Sequence, residues 1–304
     1  MATPTPFTSP DDLPVGVTAT TVNGADALHV SSSTSEATLL LDGAQLISWI
    51  PAGGQDLLWV SPEASYGPGM SVRGGIPLVG PWFGPGRDGT TPYKHGWLRS
   101  NRWTLTGAQA TPSAAQLQLE LADPERSGLL ATVHLGISAT LRIELTLTAG
   151  PQAVQVESAL HTYLAVTDVR RSSVGGLGGV VFLDNTRGLA PDEQEEDSLL
   201  PVPPLDRVYE TPGHDLVIRT AEGRRIRSAA EGTNRTVVWN PGADGAAQLG
   251  DMPTEAWAQF LCVEPAVCKD GAIDLAPGES HTIAVTYSVE DLTAPSDQPG
   301  QAQP

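Results

Sequence analysis

Apolar and polar residues alternate with a period of two through much of the chain. In AAQLQLELAD, Leu117, Leu119 and Leu121 share one face, while Gln116, Gln118 and Glu120 share the other. LRIELTLT repeats this with Leu141, Ile143, Leu145 and Leu147 against Arg142, Glu144, Thr146 and Thr148. AVQVESALHTYL, LVIRT, RRIRSA, TVVW, QFLCVE and TIAVTYSV also read as strands, and LVIRT-AEG-RRIRSA has hairpin spacing. The 32 glycines and 26 prolines interrupt these runs at short intervals, as frequent turns require. No long stretch carries a helical period. The pattern predicts an all-β fold, a large antiparallel β-sandwich with little helix.

No linker separates the strands, so one domain over 13–292 is expected. Residues 1–12 and 293–304, rich in Pro, Ser, Thr, Asp and Gln, read as flexible tails. The acidic stretch 184–210, which contains DEQEED, reads as a solvated surface excursion. The start, MATPTPFTSPDDLP, has neither a basic nor an apolar signal region, and no run approaches the roughly 20 apolar residues of a membrane span. A cytoplasmic protein with no membrane partner, monomeric or weakly self-associating, is the expectation. Cys262 and Cys268 are the only cysteines and read as buried thiols rather than a disulfide framework.

Charge narrows the candidate chemistry. The chain carries 17 Lys and Arg against 35 Asp and Glu, a net −18, which argues against a nucleic-acid partner. An anionic ligand would have to be drawn by a local cationic patch. TPYKHGWLRSNR puts Lys94, His95, Arg99 and Arg102 within nine positions, and SVRGGIPLVGPWFG adds Arg73 just upstream. Guanidinium groups suit a bidentate grip on phosphate, with Lys as a point charge; ion pairing with the many acids is the alternative reading. Gly74-Gly75 after Arg73 permits unusual backbone angles and close approach of a ligand.

The six histidines form no paired spacing with Cys or carboxylates, and there is no phosphate-binding loop or nucleophile elbow, so neither a metal nor a cofactor is expected. Acid/base groups remain. If ALHTYLAV continues the strand begun at Ala153, His161 shares a polar face with Gln155, Glu157 and Tyr163, opposite Val154, Val156 and Leu160. Glu264 follows an apolar strand and precedes Pro265, which is expected to end the ladder and leave the carboxylate at a sheet rim.

VRGGIPLVGPWFG, KHGWLRSNRW, ALHTYLAVTDV followed by VGGL, LDRVYE, VVWNP and QFLCVEPAV together resemble the hexose-6-phosphate mutarotase (glucose-6-phosphate 1-epimerase) branch of the aldose 1-epimerase superfamily. The ordered set extends from roughly residue 27 to 290. The resemblance implies a galactose-mutarotase-like β-supersandwich that interconverts the anomers of a hexose 6-phosphate. It further implies that His161 protonates the ring oxygen and Glu264 takes the proton from the anomeric hydroxyl. Arg73 and Arg99 match sugar-phosphate-binding arginines, Asp206 a carboxylate near the sugar hydroxyls, and His95 a pocket-shaping residue. Lys94 replaces a Gln and Gly80 a bulkier residue; the first adds charge near the expected phosphate, and the second would open the pocket. The other readings are an epimerase for an unphosphorylated aldose, a non-catalytic carbohydrate-binding protein, and a two-carboxylate glycosidase using Asp206 and Glu264.

Overall fold

The two cleanest alternating runs become the strands Ala114–Asp123 and Leu141–Thr148, which sit in one sheet with Leu129–Ile137 between them. Along Leu141–Thr148 every odd residue is buried and every even one half-exposed, so the period-two pattern maps directly onto a core face and a wet face. A computed structural model describes residues 12–291 except 92, 124–127, 212 and 214. Residues 1–11 of the first expected tail, and all of the second at 293–304, therefore lie outside the described residues.

The named strands pair antiparallel, with one isolated parallel bridge between Gly80 and Gly96. A nine-stranded sheet runs in spatial order from Ser198–Leu199 through Ser173–Gly175, Asp215–Arg219, Arg224–Glu231, Ser280–Asp291, Leu141–Thr148, Leu129–Ile137 and Ala114–Asp123 to Thr104–Thr111. The expected hairpin is there, with Arg219 opposite Arg225. An eight-stranded sheet is centred on Phe260–Val267, flanked by Arg235–Asn240 on one side and by Ser158–Leu160 and Tyr163–Ala165 on the other. A four-stranded sheet, Val17–Val22 to Leu46–Pro51, covers one end. Gly242–Ala246 is the one α-helix among the described residues.

The sheets share a core. Leu119, Val133, Ile143, Leu145, Val285 and Tyr287 from the nine-stranded sheet join Leu160, Leu164, Val238, Leu261 and Val263 from the eight-stranded one in a single buried apolar cluster. Alternation then dictates the outward face of the eight-stranded sheet. With Leu261, Val263 and Val267 turned into this core, Phe260, Cys262, Glu264, Ala266 and Cys268 must face the other way. Both cysteines are free and buried on that second face.

Three local expectations are corrected. The strand ending in QFLCVE does not stop at Pro265; it runs from Phe260 to Val267 with every residue buried, which places Glu264 inside a central strand instead of at a rim. The single strand expected from Ala153 is broken into Val154–Val156, Ser158–Leu160 and Tyr163–Ala165, and the first pairs with Ile273–Leu275 outside the main sheets. Part of the acidic excursion, Ala190–Glu193, is an edge strand beside Val181–Asp184, since an exposed edge tolerates charge on both faces.

Candidate active site

Cross-strand register brings the two acid/base candidates together. Ala159 lies opposite Ala266 and Tyr163 opposite Cys262, one register on both sides of the strand break, so His161 falls opposite Glu264. On the far side of the central strand, Val237 pairs with Glu264 and Trp239 with Cys262, and Asp206 is opposite Trp239 in the next strand. These side chains project from one face of the sheet and form the floor of a pocket of about 450 Å³. Arg73, Lys94, His95, Arg99, His161, Asp206 and Glu264 all line it.

The floor is tightly held. Nδ1 of His161 is 3.3 Å from Oε1 of Glu264, within ion-pair range but not aligned for a hydrogen bond. Among the described residues, His161 Nδ1 and Glu264 Oε2 are buried without a hydrogen-bond partner. The His161 imidazole stacks on Tyr163 with centroids 4.8 Å apart and planes within 8°. Tyr163 is fixed in turn, because Arg73 donates to its hydroxyl at 3.0 Å while gripping Asp251 through Nε and Nη2 at about 3.1 Å. Trp239 stands edge-on to His161.

Burial pushes the central pair in opposite directions. It holds the His161 pKa well below 6.5, assisted by His95, Arg99 and Arg73 nearby. Burial also raises Glu264 well above 4.5, reinforced by the Asp206 charge and opposed by Arg99. Both shifts disfavour the charged forms, so burial favours a protonated carboxyl group beside a neutral imidazole. Burial likewise raises Asp206, whose carboxylate accepts a 2.7 Å hydrogen bond from Asn185. His95 is held down to about 3 by burial and by Arg99, Lys94 and Arg73. Its Nδ1 accepts from Gly84 N–H at 3.4 Å, which assigns the ring proton to Nε2.

The cations divide into two kinds. Arg73 is charge-balanced by Asp251, and Arg102 is tied to Asp26 and does not line the pocket. Arg99 is oriented by its 2.8 Å bond to the Lys94 carbonyl, but no carboxylate among the described residues pairs with Arg99 or Lys94. Burial, with Arg73 adding to it, makes the Arg99 charge costly to hold. Both residues also line an adjoining hollow with Ser71, Ser100 and Asn101.

Gly74 and Gly75 serve the scaffold rather than a ligand: both have positive φ, and a Cβ on either would strike the backbone of Trp59–Val60 or Leu46–Ile47. Gly80 does not open the pocket, because the Leu98 side chain fills the space beside it, 2.7 Å from where a Cβ would stand. Sequence reasoning missed Asp251, Asn185, Trp239 and Lys269. Alternation in TVVWN could have put Trp239 on the Val237 face; Lys269, at φ 60° in a single 3-10 turn, and Asp251, in a turn, have no periodic pattern to read. His161, Cys262 and Glu264 hold ligand atoms within 4.8 Å of one another, a set able to bind a soft divalent cation, although Arg73, Lys94, Arg99 and Lys269 around the pocket oppose one.

The aldose 1-epimerase family model matches residues 26–288. A protein of Escherichia coli (strain K12) named "Putative glucose-6-phosphate 1-epimerase" is 32% identical over 253 residues, covering 81% of this chain and 84% of its own. A protein of the same name from Cenchrus ciliaris is 30% identical over 261 residues, 80% of this chain and 78% of its own. Among solved structures, a candidate mutarotase from Salmonella typhimurium superposes with a TM-score of 0.85 at 27% identity, covering 92% of this chain and 95% of that one. A galactose mutarotase-like protein from Clostridium acetobutylicum has the same fold, with a TM-score of 0.67 at 12% identity over 91% of this chain and 98% of that one.

Proposed function

The chain belongs to the aldose 1-epimerase family, and from that premise we propose that it interconverts the α and β anomers of a hexose 6-phosphate by acid/base opening and closing of the sugar ring. The observation that carries the reading is the His161–Glu264 pair at the pocket floor, with Arg99 and Lys94, two cations that no carboxylate among the described residues pairs with, at one wall.

Ring opening needs a proton removed from O1 and a proton delivered to O5. In the proposed roles the Glu264 proton first passes to His161; carboxylate Glu264 then accepts the proton of O1 and imidazolium His161 gives one to O5, as C1–O5 breaks and C1=O1 forms. The pair then holds its single proton on Glu264, the arrangement that burial favours. Rotation about C1–C2 presents the other face of the aldehyde. Closure reverses both transfers: Glu264 returns a proton to O1 while His161 takes one from the C5 hydroxyl. One shared proton therefore serves both directions, and each positioned group is expected to contribute about 10²–10⁴-fold.

Asp206, held by Asn185, and His95, presenting Nε2–H, are suited to the sugar hydroxyls. Arg99 and Lys94 are suited to the phosphate, whose charge would offset the cost of burying the guanidinium. Arg73 is better described as a support for Tyr163, and hence for His161, since Asp251 already occupies it.

Anomer-exchange NMR tests the reading, with glucose 6-phosphate and glucose as alternative substrates. The expected result is exchange of the phosphorylated sugar well above its spontaneous rate, lowered about 10²–10⁴-fold in both Glu264→Gln and His161→Ala. Exchange at the spontaneous rate for both sugars would mean a binding protein; faster exchange of glucose alone would move the substrate to an unphosphorylated aldose.

A further inference from the structure

Pro265 sits in the middle of a fully buried central strand, where a residue lacking an N–H has to be accommodated by its neighbours. Thr236 is its partner on one side. On the other side the register that pairs Ala159 with Ala266 and Tyr163 with Cys262 sets Pro265 opposite Leu160. Val263 N–H donates to the Thr162 carbonyl at 3.2 Å along this edge. Donors two residues apart point to the same edge, so the next would be residue 265, and its acceptor the Leu160 carbonyl.

Proline cannot make that bond. The Leu160 carbonyl instead accepts from Thr162 N–H at 2.8 Å and from the Thr162 hydroxyl at 3.2 Å. A bond from residue i+2 back to i is a γ-turn, here of the inverse kind, because its central residue has no positive φ. That central residue is His161. Its own N–H stays in the ladder on the opposite edge, donating to Pro77 at 3.1 Å. The turn is locked from the nine-stranded sheet, where the buried Tyr287 hydroxyl donates to Thr162 Oγ1 at 2.8 Å.

We infer that Pro265 is a positioning residue for His161: by withholding one backbone donor it forces the turn at Leu160–Thr162 that aims the imidazole across at Glu264. Thr162 and Tyr287 complete the device. The inference rests on the proposed acid/base role of His161, but its structural half can be read without any activity. An alanine at 265 restores the missing N–H, which competes with Thr162 for the Leu160 carbonyl and draws His161 back toward a regular strand.

Amide hydrogen exchange and anomer-exchange kinetics on Pro265→Ala separate the two halves. The expected outcome is a new, strongly protected amide at 265 together with a fall in kcat of about 10–100-fold and little change in KM, since a misplaced acid costs rate more than binding. Thr162→Val is expected to lose kcat in the same way, and Thr162→Ser, which keeps the hydroxyl, to retain it. An unprotected amide at 265, or a protected one with wild-type kcat, overturns the inference. Should Pro265→Ala fail to fold, equal kcat in Thr162→Val and Thr162→Ser overturns it. If wild-type protein shows no exchange of either sugar, the functional reading fails while the protection at 265 still reports on the turn.

Discussion

At Glu264 the requirements of catalysis and of stability pull apart. Its pKa in the folded protein is raised well above 4.5 by burial, so between 4.5 and that raised value the folded state binds more protons than the unfolded one. Stability contributed by this group is present at low pH and lost as pH rises through that window. A glutamine there does not titrate and keeps a donor beside His161 Nδ1. Glu264→Gln is therefore expected to lower turnover about 10²–10⁴-fold while raising Tm, by a margin that grows as pH is taken from about 4 to 7. Thermal melts of both proteins across that range check the sign; a variant less stable at pH 7 than at pH 4 relative to wild type would show that the carboxyl is ionised in the folded state. The two pocket arginines should also part company. Arg99→Ala is expected to raise KM for glucose 6-phosphate about 10–100-fold, the equivalent of one charge-assisted hydrogen bond, with little effect on glucose. Arg73→Ala, which frees Asp251 and the Tyr163 hydroxyl, should impair both sugars alike. Steady-state kinetics on the two substrates distinguish these patterns.

Pocket precision at the scale of elements comes from how loops are pinned to strands. The segment after His95 turns back on Gly80, whose carbonyl accepts from Trp97 N–H at 3.0 Å and Leu98 N–H at 3.3 Å. Gly96 makes this possible: it has φ 67°, and a Cβ there would overlap the Gly80 carbonyl. From the opposite wall, buried Glu157 accepts from Phe83 N–H at 2.9 Å and Lys269 N–H at 2.6 Å, tying two pocket loops to one carboxylate. Gly96→Ala is expected to destabilise the protein by about 2 kcal/mol or more, through αL strain and displaced backbone. Because His95 and Arg99 flank the turn, KM should rise in whatever fraction folds. Chemical denaturation gives the first number; an unchanged midpoint would mean that the loop yields freely and does not fix the pocket.

Over the whole molecule, a net charge of −18 opposes the approach of a phosphorylated sugar. That opposition is long-ranged and screened within about 8 Å at physiological ionic strength, whereas Arg99 and Lys94 act at contact. Added salt competes with the phosphate at these cations, so KM for glucose 6-phosphate should rise between about 0.1 and 1 M salt while KM for glucose stays nearly flat. Parallel dependence for the two sugars would remove the phosphate from the cation wall.

How much of this was legible beforehand follows from the range of the forces involved. The all-β fold was written in the alternation of 114–123 and 141–148, because side-chain direction in a strand is a local property with a period of two. Local composition marked the scarce cations and left His161 and Glu264 as separate acid/base candidates; their joint roles, and Asp206, came only with the family resemblance. Three things had no local mark. The pairing of Arg73 with Asp251 spans 178 positions, and no pattern within a strand reports which distant acid will neutralise a given base. Burial of Glu264 depends on strands contributed from both sides, so Pro265 looked like an end when it lies in a central strand. The register that sets His161 opposite Glu264 arises only when 159–165 docks on 260–267. Alternation within each strand set which faces are apolar, and residue type set which groups can exchange a proton. Tertiary structure alone decided which of them meet, because that depends on register between strands roughly a hundred residues apart.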